Sequence, residues 1–343
     1  MKAIVYETQG GPEVLQYKEV ADPQIGPYEV LVRVHACALN HLDLWLRMGG
    51  PNLKVPLPHI PGSDIAGEVA TVGDKVINVK VGERVLLQPG ISCGLCASCL
   101  SGQDSMCPTY TIFGMGVDGG CAEYVKSPAV NCVPIPEKLS FEEAAAFPLV
   151  SLTAWHMLIG RAKLQPAETV LVLGAGSGVG SAAIQIAKAA GARVIATAGS
   201  DEKLQKAREL GADAVINHST QKIADEVKRL TNRRGVEVVF EHVGQVTWDS
   251  SIHSLAVGGR LVTCGATTGF AGAINIAYLF TRHLTILGSF MGSKAELFSA
   301  LELLRRGLLK PVIDVVLPLE KCAEAHKRME DREQFGKIVL QVA

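Results

Sequence analysis

Residues 169–180 read Thr169-Val170-Leu171-Val172-Leu173-Gly174-Ala175-Gly176-Ser177-Gly178-Val179-Gly180, an uncharged apolar run that breaks into glycines. Residues 180–190 then carry helical spacing. A strand entering a glycine-rich turn that opens a helix is what a phosphate-binding turn needs. The glycines let the backbone approach a pyrophosphate, and the helix N-terminus faces the anion. The spacing is not a strict G-x-G-x-x-G, because the third residue after Gly176 is Val179 and the fourth is Gly180. Taken alone, the loop also reads as a tight strand-to-helix turn without a ligand.

Outward from this turn the pattern repeats. Apolar runs at 169–173, 193–197, 214–217, 236–241, 260–264 and 284–288 alternate with helical stretches such as 180–190 and 202–210. Gly191 and Gly211 fall where helix C-caps belong. Such alternation predicts βαβ units, hence a doubly wound parallel sheet with helices on both faces. Before residue 150 the rhythm is different: short strands at 29–34, 66–72 and 83–87, punctuated by Gly and Pro, predict an antiparallel, barrel-like half. After 290 come a helix (295–306) and a last strand (337–342). The expected division is 1–150, 151–289, and a return of 290–343 to the first domain. The fold class is α/β, one β-rich domain plus one parallel-sheet domain.

Composition agrees. A chain of 343 residues has room for about two domains, and 48% hydrophobic residues supply a core for each. With 33 basic against 34 acidic residues and 5% aromatics, no field or stacking surface for nucleic acid or an anionic membrane is expected. No apolar run approaches 18 residues, and the N-terminus enters a strand pattern directly, so a cytoplasmic protein is expected. Nine cysteines, an odd number, suit a reducing compartment rather than a disulfide framework.

Four of them form Cys93-x2-Cys96-x2-Cys99-x7-Cys107, with Gly94 and Gly102 letting the loop fold around a point. Four soft ligands at this spacing predict one tetrahedral zinc per chain, closed to water and therefore structural. Cys37, Cys121, Cys132, Cys264 and Cys322 are dispersed and read as small core residues. The strand after the glycine turn ends Thr197-Ala198-Gly199-Ser200 without a carboxylate for a ribose 2′-OH, and Asp201 reads as a helix start. Gly199, Ser200 and Lys203 leave room and positive charge for a 2′-phosphate, so NADPH is the expected coenzyme.

The order of these motifs, closing on Phe335-Gly336-Lys337, resembles the medium-chain dehydrogenase/reductase superfamily along the whole chain. The resemblance implies a GroES-like catalytic domain, a Rossmann domain, and coenzyme contacts at Gly176, Ser177, Gly178, Val179, Gly180, His242, Gly265, Ala266, Thr267, Phe290, Met291 and Lys337. It also implies dimerisation through strand 284–288, giving a homodimer or a dimer of dimers. Where zinc alcohol dehydrogenases of the family place catalytic metal ligands, this chain has Asn40, Ser63 and Leu149, none a good zinc ligand. A site rebuilt from His41, Asp43, His59 or Asp64 is the alternative. Asn40-x-x-Asp43 and the glycine loop look like the zinc-free quinone oxidoreductase branch, which normally lacks the four-cysteine lobe.

Without a metal, hydride addition is easiest on a quinone or an α,β-unsaturated carbonyl, which spreads the incoming charge. Asn40 is the expected hydrogen-bond donor, with Asp43 orienting it, Trp45 forming an apolar wall and Thr153 near the nicotinamide. The competing reading makes Asn40 and Asp43 caps of a local turn. Enoyl-thioester reductases of the superfamily carry a Tyr where this chain has Pro51. An atypical zinc alcohol dehydrogenase and a non-catalytic NADPH-binding protein are the alternative functions.

Overall fold

The computed structural model describes residues 1–50 and 55–342, so Pro51 lies outside the described residues. The chain forms two compact units, Met1–Leu149 with Pro311–Ala343, and Val150–Lys310.

The first unit is built on a seven-stranded sheet in the order Ile313–Pro318, Lys337–Gln341, Glu29–Ala38, Asp64–Val72, Arg84–Leu87, Cys132–Pro134, with Tyr124–Pro128 also pairing to Glu29–Ala38. Strand Glu29–Ala38 shows the alternation that made it legible: Val30, Val32 and Val34 are buried while Arg33 is exposed. The register places the site. Ala38 pairs with Asp64 on one side and with Val339 on the other, so the ends of three strands meet just before Asn40. Ile65, Val69, Phe113, Ile338 and Leu340 pack the core beneath.

The second unit is a parallel sheet of six strands, Ala214–Asn217, Arg193–Ala198, Thr169–Val172, Val236–Glu241, Leu255–Thr263 and Thr285–Gly288 in spatial order. Thr169–Val172 is buried throughout, which is why the inner strands read as continuous apolar runs. Leu171, Ile195, Ile216, Val239 and Leu261 form one core cluster. The glycine-loop helix begins at Gly178 rather than at residue 180, because the Ser177 hydroxyl caps it by accepting from the Gly180 N–H at 2.9 Å.

The return to the first unit begins at Pro311, not at residue 290. Helix Lys294–Arg305 buries Leu297, Ala300 and Leu301, and its Glu296 carboxylate holds His156 Nδ1 at 2.9 Å, so it belongs to the second unit. Among the described residues no helix is long and apolar enough to cross a membrane.

Candidate active site and metal centre

In the first unit Asn40 closes strand Glu29–Ala38 and precedes helix His41–Met48. Its backbone N–H donates to Asp43 Oδ2 at 2.7 Å, and the other Asp43 oxygen accepts from the Gly62 N–H at 2.9 Å. Burial raises the Asp43 pKa above its ordinary value, against the opposing pull of His326 and of these two N–H groups. Asp43 therefore pins the backbone on both sides of the site. Its carboxylate does not bond the Asn40 amide, but its backbone N–H faces the Asn40 side chain, closing a capping box at the start of the helix.

That amide has further partners. Asn40 Nδ2 donates to Asp64 Oδ2 at 3.0 Å, and Asn40 Oδ1 accepts from the Lys337 ammonium at 2.6 Å. Lys337 also donates to Asp64 Oδ2 at 2.8 Å, and Asp64 Oδ1 accepts the Leu149 N–H at 2.7 Å. The trio is nearly sealed, with Asn40 7% exposed, Lys337 3% and Asp64 0%. Lys337, expected at the coenzyme, thus has its ammonium committed to Asp64 and Asn40 within the first unit. Spacing along the chain missed this pairing, since Asp64 and Lys337 lie 273 residues apart. A signal existed: each is a charge that opens a strand and runs straight into apolar residues, Asp64-Ile65-Ala66 and Lys337-Ile338-Val339-Leu340.

The alternative metal site is not assembled. His59 Nε2 bonds the Gly114 carbonyl at 2.9 Å, and the His41 ring lies tilted 6.3 Å from the half-buried Trp45 ring. The Asp43 and Asp64 oxygens are occupied by N–H donors. Ser63 Oγ is buried without a hydrogen-bond partner, and in the second unit so is Thr153 Oγ1.

The second unit carries the glycine loop. Gly174 has φ +57°, and a Cβ on Gly180 would lie 2.3 Å from the Gly174 carbonyl oxygen, so only glycine closes this turn. Ser177 Oγ donates to that same carbonyl at 2.8 Å, and Gly174 N donates to Thr197 Oγ1 at 3.2 Å. Gly176, Gly178 and Val179 stay half-buried around the helix N-terminus, a cradle fit for a pyrophosphate. His242 Nε2 lies 2.8 Å from the Leu173 carbonyl and 3.4 Å from Ser177 Oγ. Burial depresses its pKa, so a neutral imidazole braces the loop.

At the tip of the next strand Gly199 and Ser200 are exposed, and Ser200 Oγ accepts the Lys203 N–H at 3.4 Å. Asp201 Oδ1 accepts from Asn217 Nδ2 at 2.8 Å, while Ser219 Oγ, on a residue that sequence reasoning missed, donates to the Gly199 carbonyl at 2.9 Å. After the fifth strand, Thr267 Oγ1 donates to the Val243 carbonyl at 3.3 Å, and a Cβ on Gly244 would meet Ala266 at 2.8 Å. Gly265 and Ala266 are half-buried there. Phe290 is half exposed, and Met291 is buried with φ +54°, a conformation rare for a non-glycine residue.

The four cysteines converge. Their sulfurs all lie within 4.8 Å of one another, Cys96 and Cys99 at 3.5 Å, Cys93 and Cys99 at 3.9 Å. Four sulfurs about 2.3 Å from one zinc would stand roughly 3.8 Å apart. Backbone donors serve two of the four sulfurs: Leu95 N and Cys96 N point at Cys93 Sγ, and Cys93 N at Cys107 Sγ, at 3.3–3.4 Å. These donors hold the Cys93 pKa below its ordinary value, and the Cys93 N–H first among several bonds brings Cys107 down to about 6. Among the described residues no other group of three or more His, Cys, Asp or Glu converges in this way.

Residues 26–137 match the alcohol dehydrogenase GroES-like domain, and residues 178–306 match the zinc-binding dehydrogenase domain. An alcohol dehydrogenase of Geobacillus stearothermophilus is 38% identical over 345 residues, 100% of both chains. The chain belongs to the medium-chain dehydrogenase/reductase superfamily. A quinone oxidoreductase of Homo sapiens is 33% identical over 348 residues, covering 99% of this chain and 97% of that one. A solved NAD-dependent alcohol dehydrogenase is 49% identical with a TM-score of 0.97, covering 100% of each chain. As a member of this superfamily the protein is an NAD(P)H-dependent oxidoreductase.

Proposed function

We propose that this dehydrogenase/reductase is an NADPH-dependent reductase of quinones or α,β-unsaturated carbonyls, working without a catalytic zinc. The observation that carries the reading is the Asn40–Asp64–Lys337 cluster, flanked by Ser63 and Leu149. These five residues offer no thiolate or imidazole to a metal, and the Asp64 carboxylate is already satisfied by three N–H donors. The coenzyme, when bound on the glycine loop of the second unit, supplies hydride.

The first unit's residues receive the charge that hydride addition pushes onto the acceptor oxygen. One Asn40 amide proton goes to Asp64, and the other meets only the Ala38 carbonyl, at 3.5 Å, the weak limit of a hydrogen bond. That second proton is the donor offered to the acceptor oxygen. A conjugated acceptor needs little more, because its charge is delocalised. Asn40→Ala is expected to lower kcat/KM for a quinone by roughly tenfold to a hundredfold, the range for losing one hydrogen bond to developing charge. Wild-type kinetics in a folded variant would reduce Asn40 to a strand-end residue. The wider test is NADPH oxidation against quinones, enones, enoyl thioesters, aldehydes and alcohols. Turnover confined to alcohols and aldehydes would favour the alcohol dehydrogenase reading that the Geobacillus relative suggests, and coenzyme binding without any turnover would favour a pure binder.

For the coenzyme, the exposed Gly199-Ser200 tip without a free carboxylate supports NADPH, although one solved relative is named NAD-dependent. Lys203→Ala is expected to raise the KM for NADPH several-fold and leave that for NADH nearly unchanged, as for one exposed ammonium–phosphate contact. Better kcat/KM with NADH in the unaltered enzyme would overturn the preference. Among the described residues strand Thr285–Gly288 leaves one edge unpaired, and Ile276 and Phe280 nearby are exposed, which supports pairing with a second copy.

A further inference from the structure

We propose that Lys337 is the cationic positioning residue of the reducing site: its ammonium fixes the orientation of the Asn40 amide and polarises it toward the acceptor oxygen. The inference rests on the reductase reading above and adds to it the residue that makes the donor work.

An asparagine amide has nearly the same shape in its two flipped orientations, so shape alone does not decide which end faces a ligand. The Asp43 N–H of the capping box favours one orientation, and charge adds to it here. The ammonium stands 2.6 Å from Asn40 Oδ1 and the Asp64 carboxylate 3.0 Å from Asn40 Nδ2. Flipping the amide would set an NH2 group against a cation and a carbonyl against an anion. With either charge gone, one of these restraints disappears.

The same bond has an electronic effect. A cation on the carbonyl draws density out of the amide and makes its N–H groups better donors, and in a site 7% exposed or less water does not screen that pull. Lys337 spends two of its three protons on Asn40 and Asp64, and among the described residues no acceptor takes the third. Positive charge is thus available as charge builds on the acceptor.

Stability alone gives no reason for the arrangement. A buried ion pair is on average no better than a well-packed apolar pair, and the residues next along these two strands are apolar, Ile65-Ala66 and Ile338-Val339-Leu340. An apolar pair would fit the sheet as well. It would leave the Asn40 amide with only the Asp43 N–H of the capping box to orient it.

The test separates packing from chemistry by using the neutral double variant. Lys337→Met leaves Asp64 buried without its cation and is expected to lose both thermal stability and turnover. Asp64→Asn/Lys337→Met removes the unpaired charge, and its thermal midpoint is expected to return to within a few degrees of the unaltered enzyme. Its kcat with a quinone is expected to stay at least roughly tenfold low, with the NADPH Kd changed less than about twofold. Recovery of kcat together with stability would make the pair structural and overturn the proposal. A raised NADPH Kd with kcat intact would return Lys337 to the coenzyme.

A readout independent of any acceptor is the pair of Asn40 side-chain amide signals in a 15N spectrum, identified by their loss in Asn40→Asp. They are expected to be sharp and shifted in the unaltered enzyme and to move toward ordinary asparagine values in the double variant. If no conjugated acceptor turns over, the reductase reading fails, and these signals still decide whether Lys337 orients the amide. Unchanged signals in the double variant would overturn it.

Discussion

Cys96→Ser is expected to lower the thermal midpoint by roughly 10 °C and to release zinc, while the protein that remains folded keeps most of its turnover. The reason lies in the closed geometry of the lobe. The Cys96–Cys99 and Cys93–Cys99 sulfur separations of 3.5 and 3.9 Å match the edge of a zinc–thiolate tetrahedron, all four sulfurs lie within 4.8 Å of one another, and four protein ligands would leave no position for substrate or water. Structural zinc is worth about 10 kcal/mol or more to small domains that depend on it, and losing one of four ligands forfeits several of those. In a unit of this size each kcal/mol moves the midpoint by about 2–4 °C. The lobe also has little else to hold it, since Leu95 and Leu100 are 82% and 75% exposed and Cys93 is exposed as well. Elemental analysis is the check, with about one zinc per chain expected. Two zinc ions, or activity abolished by mild chelation and restored by zinc without refolding, would mean that a catalytic metal sits in the first unit and that the alcohol dehydrogenase reading replaces the reductase.

Gly180→Val is expected to weaken coenzyme binding by roughly a hundredfold and to lower stability by about 3 kcal/mol. The added Cβ alone would come within 2.3 Å of the Gly174 carbonyl, a backbone atom that has nowhere to go because the Ser177 hydroxyl and the Thr197 side chain hold that turn. Relieving such an overlap costs about 3 kcal/mol, and the relief opens the turn whose N–H groups would face the pyrophosphate. Quenching or enhancement of nicotinamide fluorescence on titration gives the Kd directly. An unaltered Kd would show that the coenzyme does not depend on this turn. Circular dichroism accompanies the titration, so that loss of binding is separated from loss of structure, and Gly180→Ala serves as the milder form of the same clash.

Much of this architecture was legible in the sequence, and the legible part shares one property. Strand alternation in residues 29–34, the apolar runs of the parallel sheet, the turn at Gly174 to Gly180 and the cysteine spacing from 93 to 107 are all decided within about 15 residues. Local sterics and periodicity act over that range. The strand ends held to within a few residues, and the shift of a helix start from 180 to 178 traces to one hydroxyl cap at Ser177. Asn40 and Asp43 were singled out correctly as neighbours, but the partner of the Asn40 amide was not. The turn reading is realised there, Asn40 and Asp43 forming a capping box, and Asn40 also joins the cluster with Asp64 and Lys337.

What the chain's local pattern determined, then, is the class of each half, the glycine turn and the four-cysteine cluster. What the tertiary structure decided is which strand ends meet. Strand Glu29–Ala38 lies between one strand that begins at Asp64 and another that begins at Lys337, and that sandwich brings two charges 273 residues apart onto one amide. It also assigned helix Lys294–Arg305 to the second unit, through a buried apolar face and the Glu296–His156 bond. No periodicity encodes such meetings. They arise from sheet order and register, which the whole core settles together, so the charge pattern of this site exists only once the strands are paired.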